Sequence, residues 1–250
     1  MTTTAETTPS TWARPGKRGR IGVIQPAPGV LLEFEWPLRL PADILFPVAR
    51  IRMRGASAAH YQEIADLAPE YAKDLVTAGA DVIAYACSVG SLFAGAAAER
   101  QLMEQLAAAS GKPVVSLSDA SMQALHLLGA KKIAILTPYN ADTNALVSRY
   151  AEECGFSVVA ALSLPVSIVT ISNLPADEIA VLACAALDSV PDVDALWIPC
   201  SAVRTLDVIS AIEAATGKIV VSGSQALLWA ALRAIGVDDK LADSGSLFLR

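Results

Sequence analysis

A chain of 250 residues is long enough for one large domain or for two lobes of roughly 100 residues each. It is 54% hydrophobic and 18% charged with a net charge of −6, a mild acidic balance that excludes a general nucleic-acid surface or an anionic-membrane surface. No apolar run approaches the ~20 residues of a spanning helix, so no membrane partner is expected. Residues 1–17 lack the basic start and apolar stretch of a secretory signal, and they read as a disordered tail on a cytoplasmic protein.

Strands and helices then alternate. Arg20 to Ile24 predicts a strand ending at Gln25-Pro26, and Ala49 to Met53 a weaker one. Ser57 to Ala78 carries Ile64, Leu67, Tyr71 and Leu75 at helical spacing and closes at Gly79. Val82 to Ala86 is a strand running into Cys87-Ser88-Val89-Gly90-Ser91, followed by a helix over Ala97 to Ala109. Strand Pro113 to Leu117, helix Ala120 to Leu128 and strand Lys132 to Leu136 lead to Thr137-Pro138-Tyr139-Asn140. Helix Asp142 to Glu153, strand Ser157 to Leu162, helix Ala176 to Ser189 and strand Ala195 to Ile198 follow. Helix Thr205 to Ala215, strand Ile219 to Val221 and helix Gln225 to Ala234 complete the series. Such alternation implies an α/β fold with parallel sheets flanked by helices.

The chain repeats itself. The segment from Asp81 to Cys87-Ser88 matches that from Asp194 to Cys200-Ser201. Downstream, Gly111-Lys112 and Ser116-Leu117-Ser118 match Gly217-Lys218 and Ser222-Gly223-Ser224. The longer first copy, between Cys87 and Gly111, reads as an insertion in a connecting loop. Duplicated halves of this kind pack with pseudo-twofold symmetry, and open parallel sheets bind ligands beyond the carboxyl ends of their strands. Both cysteines fall at such ends, which puts Cys87 and Cys200 on opposite walls of one cleft. The lobes divide as residues 18–118 plus about 223–250, and residues 119–222.

Four cysteines, without a CxxC pair, and two histidines argue against a structural zinc site, and no metal is expected. Cys154 and Cys184 sit in apolar helical patterns and read as small buried residues. Taken alone, Cys87 or Cys200 is also more readily a structural thiol; their matched places, each before a serine, reverse that balance. A loop leading into a helix offers each sulfur backbone N–H groups that tune a thiol downward from about 8.5. Facing thiols can transfer a proton to and from one carbon, or one thiolate can add to an activated double bond and leave. Ser88, Ser91, Ser201 and the Tyr139 hydroxyl are the candidate donors to a developing carboxylate charge, and Tyr61 is a candidate pocket wall. Arg204 reads as a cation at a helix start with an ion-pair or ligand role. Neither GxGxxG nor GxxxxGK[ST] occurs, which disfavours nucleotides.

Cys87-Ser88-Val89-Gly90-Ser91, Thr137-Pro138-Tyr139, Cys200-Ser201-Ala202-Val203-Arg204 and Ser224-Gln225-Ala226 resemble the maleate cis-trans isomerase and arylmalonate decarboxylase branch of the aspartate/glutamate racemase superfamily. The resemblance runs from about Arg18 to Phe248. It implies a two-lobed fold, an interlobe site and no cofactor. It also implies one cysteine adding to a double bond while the other handles the proton, with Tyr139 on a substrate carboxylate. The decarboxylases of this branch keep only the second cysteine, so Cys87 points to the isomerases. Maleate isomerases usually follow their cysteines with Thr-Ser and Thr-Asn; here Ser88-Val89 and Ser201-Ala202 stand there. Gln25 stands where their first loop offers an Asn. Fewer polar groups imply a less polar substrate or a single carboxylate, with Val166 to Ile171 as an apolar wall.

Three readings stay open: a cysteine isomerase or racemase on a small carboxylic acid, a decarboxylase of a substituted malonate, and a noncatalytic small-acid binder. Ala- and Leu-rich helical faces suit a homo-oligomer or intrachain packing equally.

Overall fold

The computed structural model describes residues 15–54, 58–166 and 170–250, with side chains throughout these segments except at positions 58, 89, 91, 93 and 94. One sheet holds β1 (Gly19–Pro26), β2 (Ile44–Leu45), β3 (Val48–Ile51), β4 (Val82–Tyr85) and β5 (Val114–Ser116). All are parallel in the order β2-β1-β4-β5, with β3 also on β1. The other sheet, also parallel, holds β6 (Lys132–Thr137), β7 (Ser157–Ser163), β8 (Ala195–Ile198) and β9 (Ile219–Ser222) in the order β7-β6-β8-β9. The orders correspond strand for strand, β3 to β7, β1 to β6, β4 to β8 and β5 to β9.

Eight helices among the described residues connect and cover the strands: α1 (Leu31–Glu35), α2 (Ala58–Thr77), α3 (Ser88–Ser110), α4 (Leu117–Leu127), α5 (Ala141–Glu153), α6 (Ala176–Ser189), α7 (Ile209–Thr216) and α8 (Gly223–Ala234). β4 and β8 are buried at every position, as strands covered on both faces must be, and their sequences are uniformly apolar for that reason. β7 alternates exposed and half-buried positions along a sheet edge. None of the helices is long and apolar enough to cross a membrane.

The duplication extends to hydrogen bonds. Asp81 Oδ2 accepts the Arg20 N–H at 2.8 Å, and Asp194 Oδ2 accepts the Lys131 and Lys132 N–H groups at 2.8 Å. Each aspartate thus ties its strand to the first strand of its own lobe. Gly111 and Gly217 close α3 and α7 in the left-handed region, at φ 64° and 66°. Ser116 and Ser222 cap α4 and α8 with near-identical backbones, φ −110° and ψ 155° or 154°. Their hydroxyls accept the Asp119 and Gln225 N–H groups at 3.1 and 3.2 Å. Such a cap contributes about 1 kcal/mol.

The lobes meet where α4 packs on α8. A Cβ on Gly223 would lie 2.5 Å from Leu117 Cδ2 and 2.6 Å from the Pro199 carbonyl. Leu117 is the repeat mate of Gly223, so a large residue in one copy fills the space a missing side chain leaves in the other. α8 also packs on β4 and β5 as well as on β9.

Several expectations change. The longer first copy is not a loop insertion: its extra residues extend α3, which starts directly after Cys87 and turns at Gly95 (φ 81°). After Cys200 the chain instead makes irregular turns, and α7 begins at Ile209 rather than Thr205. Arg204 is therefore not at a helix start; it pairs with Asp207 and lies 4.8 Å over the Phe34 ring. α1 and β2 carry too short a period to be legible in the sequence. Pro15 to Lys17, assigned to the tail, belong to a turn in which the Gly19 N–H donates to the Gly16 carbonyl at 3.2 Å.

Candidate active site

A cavity of about 790 Å³ opens at the carboxyl ends of the central strands, where the strand order reverses in each sheet. That volume is within the roughly 300–1,000 Å³ typical of small-molecule sites. Cys87, two residues past the end of β4, and Cys200, two residues past the end of β8, both line it. Each sulfur-bearing residue is 4% exposed.

The surroundings of the two thiols correspond. Burial pushes the Cys87 thiol up to about 11, against the pull of the Gly90 N–H and the Tyr85 hydroxyl, while Cys200 adds to the rise. Burial also raises the Cys200 thiol, opposed by the Tyr139 hydroxyl and the Ala202 N–H. One phenol and one backbone amide thus serve each sulfur. The direction corrects the expectation of thiols tuned downward: removal from water penalises the thiolate more than these donors favour it.

Tyr139 is the bridge. It follows β6 in the second lobe, and its hydroxyl lies 3.2 Å from Ser88 Oγ in the first. Its backbone is fixed from both sides: the Tyr139 N–H donates to Thr137 Oγ1 at 3.0 Å, and Ser163 Oγ donates to the Tyr139 carbonyl at 2.9 Å. Burial, then Cys200, hold the phenol well above its usual range, so it is a donor throughout. Tyr61 of α2 is 7% exposed and lines the cavity. Burial and then both thiols push its phenol up to about 12.

The other sequence candidates have mixed fates. Ser88 is buried and Ser201 half-buried, and both line the cavity. The Ser91 side chain lies outside the described residues, as do residues 167–169 of the expected apolar wall; Val166 lines the cavity. Gln25 lines it too; one N–H of its amide donates to Glu33 Oε2 at 3.0 Å, and the amide has a second.

Unexpected lining residues are Met53, Arg54, Val30, Leu164 and Ser172. With Pro26, Pro28 and Val166 the aliphatic ones give the cavity an apolar lining beside its polar groups. They carry no motif, being single residues from loops brought together by the fold. Glu35 was also missed. It is fully buried and accepts the Thr205 and Leu206 N–H groups at 2.6 and 2.8 Å and the Ser224 hydroxyl at 3.0 Å. It therefore braces the turn after Cys200 from the opposite lobe. Glu99 of α3 accepts from Ser116 of its own lobe and from Tyr150 of α5 in the other.

The sequence profile of the arylmalonate decarboxylase family matches residues 21–248. The chain belongs to that family. The maleate isomerase of Pseudomonas putida is 31% identical to it over 91% of this chain and 96% of that protein. A crystal structure of an arylmalonate decarboxylase variant in the liganded form shares 27% identity at a TM-score of 0.85, over 92% of this chain and 98% of that one. The maleate cis-trans isomerase of Nocardia farcinica, as a cysteine-to-serine variant with a covalently bound succinylcysteine intermediate, shares 27% identity at a TM-score of 0.81, over 92% and 98%. Family membership thus agrees with the superfamily branch that the paired cysteine segments resemble, and both groups of relatives have this two-lobed fold.

Proposed function

We propose that the protein is a cysteine-dependent cis-trans isomerase of a small unsaturated carboxylic acid. The observation that carries the reading is the pair of thiols, Cys87 and Cys200, lining one cavity with matched donors. The succinylcysteine held by a relative supports covalent addition as the chemistry.

In this mechanism the Cys87 sulfur, as thiolate, bonds to one carbon of the double bond. The π electrons move to the neighbouring carbon, next to the carboxylate, and that carbon takes the Cys200 proton. The resulting thioether has a single bond, which rotates. Cys200 then takes the proton back, the double bond re-forms, and the sulfur leaves as thiolate. Every proton and electron pair is returned, so the step needs no oxidant or reductant. Ser88, Ser201 and Tyr139 hold the carboxylate as charge builds on it. Cys87 is assigned the addition because it is the N-cap residue of α3, where first-turn amides lack partners within the helix.

We place the substrate among acids with one carboxylate at these polar groups and an apolar substituent against Val30, Met53, Leu164 and Val166. The aliphatic residues lining the cavity support this over a bare four-carbon diacid. The four free thiols suit a cytoplasmic setting.

The same apolar lining would accept an aryl group, which favours a malonate decarboxylase as the second reading. The test is proton NMR of the enzyme with maleate, alkyl-substituted maleates and arylmalonates. Isomerisation without carbon dioxide release is expected, and Cys87→Ala abolishes it. Carbon dioxide release that survives Cys87→Ala would establish the decarboxylase instead.

A further inference from the structure

Resting on the reading of Cys87 as the adding sulfur, we propose that the Tyr85 hydroxyl is a further catalytic group, a donor built into β4 that stabilises the Cys87 thiolate when it forms. Period-two alternation puts the two side chains on one face. Val82, Ala84 and Ala86 join the core between the lobes, while Ile83, Tyr85 and Cys87 join the core beneath α2. Tyr85 is fully buried, and its hydroxyl has no oxygen or nitrogen partner within hydrogen-bonding geometry. Native interiors rarely leave a hydroxyl so, and the exceptions call for a reason.

The reason lies at Gly90. A Cβ there would sit 3.0 Å from the Tyr85 hydroxyl oxygen and 3.1 Å from the Cys87 sulfur. Oxygen and sulfur both lie about 3 Å from the same point, which a side chain at this position would occupy. A protonated thiol is a poor acceptor, so the resting hydroxyl gains little from the sulfur beside it. A thiolate is a strong acceptor, and the donor is already in place when the proton leaves. Burial, then Cys87 itself, hold the phenol well above its usual range, so Tyr85 keeps the proton it must share.

The other titratable groups facing this pair are Cys200, Tyr61 of α2 and Tyr139 toward Cys87, and Glu99 of α3 toward Tyr85. Glu99 accepts from Ser116 and Tyr150 rather than from Tyr85.

The experiment is site-resolved iodoacetamide labelling across pH, read by mass spectrometry, on the full chain and on Tyr85→Phe. Labelling at Cys87 is expected to slow about tenfold at a given pH, a shift of roughly one unit in its midpoint, while Cys200 keeps its profile. Tyr85→Phe should melt no lower than the parent, because it removes an unpaired buried group. Gly90→Ala, whose methyl would crowd both atoms at 3.0 and 3.1 Å while keeping them, should slow Cys87 in the same way. Unchanged Cys87 labelling in Tyr85→Phe overturns the proposal, and a lower melting point with unchanged labelling would make Tyr85 structural. The readout does not depend on turnover. Full activity in Cys87→Ser would instead defeat the functional reading while leaving the labelling result legible.

Discussion

The Ser88 and Tyr139 hydroxyls stand 3.2 Å apart, joining the residue after one cysteine to the phenol that serves the other. This contact closes the gap between the lobes at the level of the thiols. It also makes Tyr139 answerable to both halves of the site. Replacing Tyr139 by Phe removes a donor to Cys200, and the donor proposed for the carboxylate, while keeping the ring. A loss of about 100-fold in kcat/KM is expected, as for other single oxyanion donors. Steady-state kinetics decide it; parental activity in the variant would remove Tyr139 from the mechanism.

Activity should climb with pH. The Cys87 thiol at about 11 is almost wholly protonated at neutrality. Each unit of pH below that value multiplies the thiolate fraction about tenfold. Cys200 must hold its proton until it gives it to the carbon in the addition step, and its own raised thiol allows that. The expected profile of kcat/KM therefore rises with a slope near one from about pH 7 to about pH 10. A plateau already reached at neutrality would show that the reacting sulfur is ionised at rest.

Glu35 links pH to stability. Burial pushes its carboxyl up to about 7, against the Leu206 and Thr205 N–H groups and the Ser224 hydroxyl, with Asp207 adding to the rise. The folded chain thus holds this proton more firmly than the unfolded one. The contribution is complete below about pH 4.5 and is lost as the pH rises through about 7, on the order of 3 kcal/mol in all. Glu35→Gln keeps a carbonyl for the two N–H groups and removes the titration. It should match the parent near pH 5 and melt higher near pH 8. Parallel melting curves across that range would refute the assignment.

Gly223 tests the seam between the repeats. In Gly223→Ala the new methyl meets the Pro199 carbonyl at 2.6 Å, and that carbonyl belongs to the residue before Cys200. A loss of about 1–3 kcal/mol by chemical denaturation is expected, with Leu117→Ala restoring only the side-chain part of the clash. Undiminished stability in Gly223→Ala would mean the helices separate freely.

Much of this architecture was readable in advance, for local reasons. Gly111 and Gly217 end helices because a left-handed residue is cheapest as glycine, and Ser116 and Ser222 start them because a hydroxyl can accept a first-turn N–H. Their recurrence with Asp81 and Asp194 exposed the duplication. The apolar lining of the cavity was only partly foreseen, since Met53, Val30 and Leu164 come from separate loops with no shared spacing. Tyr85 looked like any aromatic in a buried strand.

The sequence by itself determined that two like α/β lobes would bring two strand-end cysteines to one cleft, because strand period, caps and repeats are short-range signals. Only the tertiary structure decided the state of those cysteines and what braces them. Burial depends on every element packed around a sulfur, and partners such as Glu35 and Thr205 meet across 170 residues of chain. Separations of that kind leave no spacing to read, so the raised thiols, the Tyr85 hydroxyl and the crossed carboxylate braces came into view with the fold.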